Sequence, residues 1–151
     1  MRCISPVQHG CLIAEEKTVP EPVPMRKLMT GIPELDLVLR GGLPRHRLHL
    51  LEGAPGAGKT TIALQFLLEG VARGERGLYI TLSESTDELT AAAASHGWSL
   101  DGIDVFDLIP VEAELERQQS VLYPSEVELG ETMRLITDRI AADQPDRVVV
   151  D

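Results

Sequence analysis

The run Gly53-Ala54-Pro55-Gly56-Ala57-Gly58-Lys59-Thr60 constrains this chain more than any other stretch. Its spacing, G-x-x-x-x-G-K-[ST], is that of a phosphate-binding P-loop. Small residues let consecutive backbone N–H groups converge on an anion, the lysine reaches the β- and γ-phosphate oxygens, and the hydroxyl of Thr60 meets Mg2+. Such a loop requires a strand leading in and a helix leading out. Arg47 to Glu52 is a short apolar-rich run that reads as that strand, buried on both faces. Thr60 to Val71 carries Ala63, Phe66, Leu67 and Gly70 at helical spacing and reads as the helix. A phosphate held here sits at a helix N-terminus, where unpaired N–H groups and the macrodipole both favour negative charge. Gly53 to Thr60, with Thr61 following in the helix, are therefore the candidate nucleotide-binding residues.

The rest of the composition narrows the partners. A chain of 151 residues, 43% of them hydrophobic, has the size and apolar content of one soluble domain. Its formal net charge of −10 and its 14 scattered Lys and Arg residues argue against general affinity for nucleic acid or an anionic membrane, which depend on basic patches. Cys3 and Cys11 lack the paired spacing of a zinc site or a disulfide framework, and His9 beside them adds no fourth ligand. A reducing, cytoplasmic location is the expectation. No segment approaches the roughly 20 apolar residues that span a bilayer, and the first residues lack the apolar core of a secretion signal.

Taken in order, residues 1–24 hold Pro6, Pro20, Pro22 and Pro24 without periodicity and read as an irregular leader, with the ordered domain over 25–151. Pro33 falls at a first helical position, with Leu35, Val38 and Leu39 expected on one face and Gly41-Gly42 ending the helix. Leu78 to Leu82 reads as a second strand. Ser85 and Glu88 then form a capping box for a helix carrying Leu89, Ala92, Ala93 and His96, closed by Gly97. His96 and Trp98 read as a helix-end and a packing residue. Ile103 to Ile109 is a third strand, and residues 110–127 read as a long, acidic, solvated connection. Ser125 and Glu128 repeat the capping-box pattern before Leu129, Met133, Ile136 and Ile140, and Pro145 ends that helix.

The last element, Arg147-Val148-Val149-Val150-Asp151, is an apolar strand ending in an acid, the pattern of a Walker B strand. Alone it is weak. Beside a P-loop it gains force, because Mg2+ needs both the loop hydroxyl and a carboxylate at a neighbouring strand end. Thr60 is assigned as the direct Mg2+ ligand and Asp151 as the second anchor, acting through water.

Thr30-Gly31-Ile32-Pro33 with Leu35-Asp36, Gly41-Gly42-Leu43-Pro44, and then the P-loop together resemble the N-terminal half of KaiC-like ATPases of the RecA superfamily. The resemblance continues through Tyr79-Ile80-Thr81-Leu82 and Pro124 to Glu131 into Asp146 to Asp151. It implies an α/β fold of RecA-like P-loop NTPase type, a mostly parallel sheet flanked by helices, of which this chain is the N-terminal, incomplete part. It implies ATP and Mg2+ as cofactors, a homo-oligomeric, commonly hexameric ring, hydrolysis between subunits, and in some members Ser/Thr autophosphorylation. Lys59 is then expected to stabilise charge on the phosphates.

Three departures from that pattern carry expectations. Relatives hold a glutamate pair just after the second strand, the first of the two polarising water; here the positions read Ser83-Glu84, leaving Glu84 as the catalytic candidate. A carboxylate moved by one residue at a strand end reverses its direction. His46 replaces a glycine before the first strand and is expected to alter that turn. In the superfamily the strand joining the Walker A and Walker B strands follows Walker B in sequence, so the resemblance implies a fragment with exposed sheet edges and poor solubility. The alternatives to an ATPase are a nucleotide-gated assembly or signalling module with little turnover, a DNA-dependent ATPase of RecA/RadA type, which the acidic balance disfavours, and an inactive gene fragment.

Overall fold

A computed structural model describes residues 26–109 and 124–151 of the chain. The leader, with Cys3, His9 and Cys11, lies outside the described residues. So does most of the acidic connection. Its last residues, expected in the loop, instead begin a helix at Pro124, which the first turn of a helix tolerates.

A parallel sheet organises the domain. Its strands are β3 (Gly77–Thr81), β4 (Ile103–Asp107) and β5 (Arg147–Val150), with β3 in the centre. Tyr79 pairs with Val105 on one side and Val149 on the other. Successive side chains of a strand point to opposite faces, and β3 feeds a core on each. Tyr79 joins Leu64, Leu67, Leu89, Ala93 and Ile103 under helices α2 (Lys59–Ala72) and α3 (Thr86–Ser95). Leu78 and Ile80 join Leu108 and Ile136, the last from helix α4 (Pro124–Asp143), on the other face. Each such large apolar side chain, fully buried, contributes about 1.5–3 kcal/mol of transfer free energy. The outcome is the α/β layering that the resemblance implies.

Local signals set the ends of α3. Ser85 Oγ accepts from the Glu88 amide at 3.4 Å while Glu88 Oε2 accepts from the Ser85 amide at 2.8 Å, so the expected capping box is formed. Gly97 follows the helix with φ of 74°. Bonds from the Ser85 amide and hydroxyl hold the Glu88 carboxyl below the usual glutamate range. His96 stacks on Trp98 with ring centroids 4.8 Å apart, as a helix-end and packing pair.

The N-terminal segment docks beside this sheet. A short antiparallel pair, β1 (Lys27–Leu28) with β2 (Leu43–Pro44), brackets helix α1 (Pro33–Val38), with Pro33 in its first turn as expected. Gly42, at φ 106°, passes so close that a Cβ there would lie 2.0 Å from the Leu28 carbonyl oxygen. One expectation for α1 fails: Val38 is 78% exposed. The inward position is taken by Asp36, whose Oδ1 accepts from the Thr30 amide at 2.8 Å and the Thr30 hydroxyl at 2.9 Å. Those buried bonds fix the helix rotation in place of an apolar stripe.

Arg147 ties the pieces together. Its side chain is buried, with Nε donating to Glu75 Oε2 at 2.6 Å and Nη1 to the carbonyls of Met29 and Phe66, each at 2.7 Å. Arg45 also pairs with Glu75. One guanidinium thus joins the N-terminal segment, α2 and β5.

The run Arg47 to Glu52 is the main correction to the expected fold. It forms no strand: Leu48 is 98% and Leu50 88% exposed. A strand exists only where a neighbouring backbone completes its hydrogen bonds, and among the described residues none pairs with this run. The outer edge of β5 is likewise unpaired among them, so the run has apolar composition without a ladder to join. His46 takes a φ of 57°, in the left-handed region that glycine reaches more readily than histidine.

Candidate nucleotide site

The P-loop leaves the unpaired run and enters α2 directly. Gly56 and Gly58 take φ of 78° and 86°, the left-handed region that glycine reaches without cost. Gly58 is the N-cap of α2, and the Ala57 amide closes a turn onto the Ala54 carbonyl at 3.1 Å. The amides at the start of α2, those of Lys59, Thr60 and Thr61, belong to its first turn, where an intrahelical partner is missing by geometry. Lys59 Nζ folds back on the loop, donating to the carbonyls of Gly53 at 3.1 Å and Ala54 at 3.3 Å. Its ammonium therefore stands over the loop mouth.

Sheet topology brings the acid to this loop. The Asp151 amide donates to the Ile80 carbonyl at 3.0 Å, and the Leu82 amide donates to the Asp151 carbonyl at 2.8 Å, so the parallel pairing continues past β5. Asp151 is thereby held at the C-terminal edge of the sheet, where parallel α/β sheets place their ligand crevices. Its Oδ2 accepts from Thr60 Oγ1 at 3.1 Å, joining residues 91 apart in sequence. Of the expected site residues, the fold brings together Lys59, Thr60 and Asp151.

Glu84 sits in the turn after β3. The buried Thr81 hydroxyl accepts from the Glu84 amide at 3.0 Å and donates to its carbonyl at 2.6 Å, which fixes that turn. Ser83, the preceding residue, is exposed.

One polar side chain of the site escaped the sequence reading. Tyr79 OH donates to the same Asp151 Oδ2 at 2.8 Å. Burial above all, then the hydrogen bond to Asp151 and the charges of Asp151 and Glu84, push the phenol well above the usual tyrosine range. Strand periodicity held the missing signal: Tyr79 is paired with Val149, and Asp151 lies one full side-chain period further along the same face.

A Gly-Lys-Thr loop capping a helix, with an acid from a neighbouring parallel strand reaching its hydroxyl, is the arrangement of a P-loop nucleoside-triphosphatase module. A family profile described as "ATPase: KaiC" matches residues 28–151. The chain belongs to this KaiC ATPase family.

Similar proteins agree. A UPF0273 protein of Pyrococcus horikoshii is 41% identical over 75 residues, covering 50% of this chain and 30% of the relative. The circadian clock protein KaiC3 of Synechocystis is 33% identical over 132 residues, covering 84% of this chain and 25% of the relative. The crystal structure of a KaiC-like protein from Pyrococcus horikoshii superposes with a TM-score of 0.68 at 32% identity, covering 85% of this chain and 56% of that one. The chain thus spans a third or less of these two curated relatives. Among the described residues no helix is long and apolar enough to cross a membrane.

Proposed function

We propose that this module binds Mg·ATP in the Gly53–Thr60 loop and hydrolyses it. The reading rests on one observation above others: Thr60 Oγ1 lies 3.1 Å from Asp151 Oδ2 at the N-terminus of α2. A hydroxyl beside a carboxylate is a set of hard oxygen donors, the chemistry that Mg2+ selects, with water completing its shell. Thr60 and Asp151 are the residues that would hold the ion. When bound, Mg2+ neutralises charge developing on the β- and γ-phosphate oxygens.

The chain's own residues do the rest. Backbone amides of Gly58, Lys59, Thr60 and Thr61 supply donors to the phosphates, and Gly56 and Gly58 allow their close approach. Lys59 exchanges its two loop carbonyls for phosphate oxygens, a stronger charge-assisted partner. Glu84 orients the attacking water from the turn that Thr81 fixes. The module assembles as a homo-oligomeric ring, in keeping with its family.

Calorimetry on Lys59→Ala tests the binding claim. Loss of ATP affinity is the expected outcome, and unchanged affinity overturns the assignment. The exposed hydroxyl of Ser83, where the resemblance expects a glutamate, favours one second reading: a nucleotide-gated assembly module that binds tightly and turns over little. Tight ATP binding without steady-state phosphate release supports it.

A further inference from the structure

Tyr79 lies in the middle of the central strand, 0% exposed and packed among Leu64, Leu67, Leu89 and Ile103. A phenylalanine would fill the same core. The phenol differs from it only in an oxygen that would have to leave water, and such a group persists in a core only where a partner offsets its desolvation. Here the partner is Asp151 Oδ2, at 2.8 Å.

The geometry makes this bond more than local satisfaction. Asp151 stands about 6.6 Å along the strand from the Val149 position that faces Tyr79, a span the long phenol side chain covers. The same Oδ2 also accepts from Thr60 Oγ1 at 3.1 Å. A carboxylate only accepts, so both hydroxyl hydrogens point at one oxygen. With its proton committed there, Thr60 presents its lone pairs away from Asp151. Among the described residues Asp151 Oδ1 has no hydrogen-bond partner. A ring wedged in the core therefore sets the rotation of a half-buried carboxylate, and that carboxylate sets the direction of the Thr60 hydroxyl.

We infer that Tyr79 is a positioning residue for the metal side of the nucleotide site, orienting Asp151 so that Thr60 and Asp151 together favour Mg2+ beside bound ATP. The inference rests on the Mg·ATP reading above.

The test compares ATP affinity in magnesium with ATP affinity in EDTA, by calorimetry, for the full wild-type chain and Tyr79→Phe. Outer partners of metal ligands typically contribute tenfold or more to metal affinity, so the magnesium-dependent gain is expected to fall about tenfold in Tyr79→Phe while affinity in EDTA is unchanged. An equal gain in both proteins overturns the inference and leaves the Mg·ATP reading standing. A uniform loss, the same in magnesium and in EDTA, also overturns it, since that is the mark of packing alone. A wild-type chain that binds no ATP in either condition overturns the Mg·ATP reading and this inference together. A measurement on the wild type serves where the variant does not fold: the Tyr79 Cζ resonance is expected to move when magnesium is added to the ATP complex, and an unmoved resonance overturns the inference.

Discussion

The side chain of Arg147 occupies the space beside the α-carbon of Gly70: a Cβ built on Gly70 would lie 2.6 Å from Arg147 Cδ and 2.7 Å from its Nε. The crowded atoms belong to a fixed stem. Arg147 is held by Glu75, by the carbonyls of Met29 and Phe66, and by the Phe66 ring 4.6 Å from its guanidinium carbon. Gly70 is thus the small residue that lets a strand arginine pass through a helix face.

Gly70→Ala is therefore expected to destabilise the domain although alanine is the better helix former by about 1 kcal/mol. Overpacking a fixed site costs roughly 1–3 kcal/mol, and the crowding outweighs the propensity. Denaturant unfolding reads the difference. In an Arg147→Ala background, where the crowding atoms are gone, the same substitution is expected to stabilise by up to about 1 kcal/mol, a coupling that a double-mutant cycle measures. A stabilised single variant would show that the arginine moves aside freely.

Gly58→Ala separates binding from stability. At φ of 86° an alanine is strained by about 1–2 kcal/mol, and nothing else lies within 4 Å of the added Cβ. The change in melting is expected to stay that small. ATP affinity is expected to fall at least about tenfold, because a relaxed N-cap turns its neighbouring amides away from the phosphates. Matched thermal melts and nucleotide titrations check both halves.

How far the sequence reached depends on which forces act locally. The P-loop helix, the Ser85–Glu88 cap and the apolar strands β3 and β5 were legible because their signals lie within a few residues of one another. The run Arg47 to Glu52 was not, since a strand is a property of pairing and Leu48 and Leu50 find no ladder. Val38 was misplaced because the rotation of α1 is set by Thr30 reaching Asp36, a bond that periodicity does not encode. Tyr79 was hidden by its own residue type, which suits a core and a polar site equally well.

The Tyr79 phenol carries a pH dependence of known sign. Its folded value is raised by burial first, and by Asp151 and Glu84. A raised value means the neutral form is favoured in the fold, so this contribution is fully present below the unfolded tyrosine value near 10 and is lost as pH climbs above it toward the folded value. Alkaline unfolding is expected to steepen above about pH 10 in the wild type, and Tyr79→Phe is expected to flatten that limb. Unfolding midpoints between pH 8 and 11.5, on both proteins, are the measurement; identical slopes would contradict the assignment.

The strongest test of turnover lies at Ser83. Thr81 fixes the turn of Glu84 from its buried hydroxyl, while Ser83 before it is exposed and uncharged. A positioned general base contributes about 10²–10⁴-fold to a rate when its direction is right. If the resemblance assigns water activation correctly to the first position, Ser83→Glu is expected to raise steady-state phosphate release at least about tenfold, with ATP affinity unchanged. If Glu84 has taken over that task, Ser83→Glu changes little and Glu84→Gln abolishes release. The two variants point in opposite directions, so one phosphate-release assay on the pair decides whether this module turns over through its remaining glutamate or binds ATP and waits.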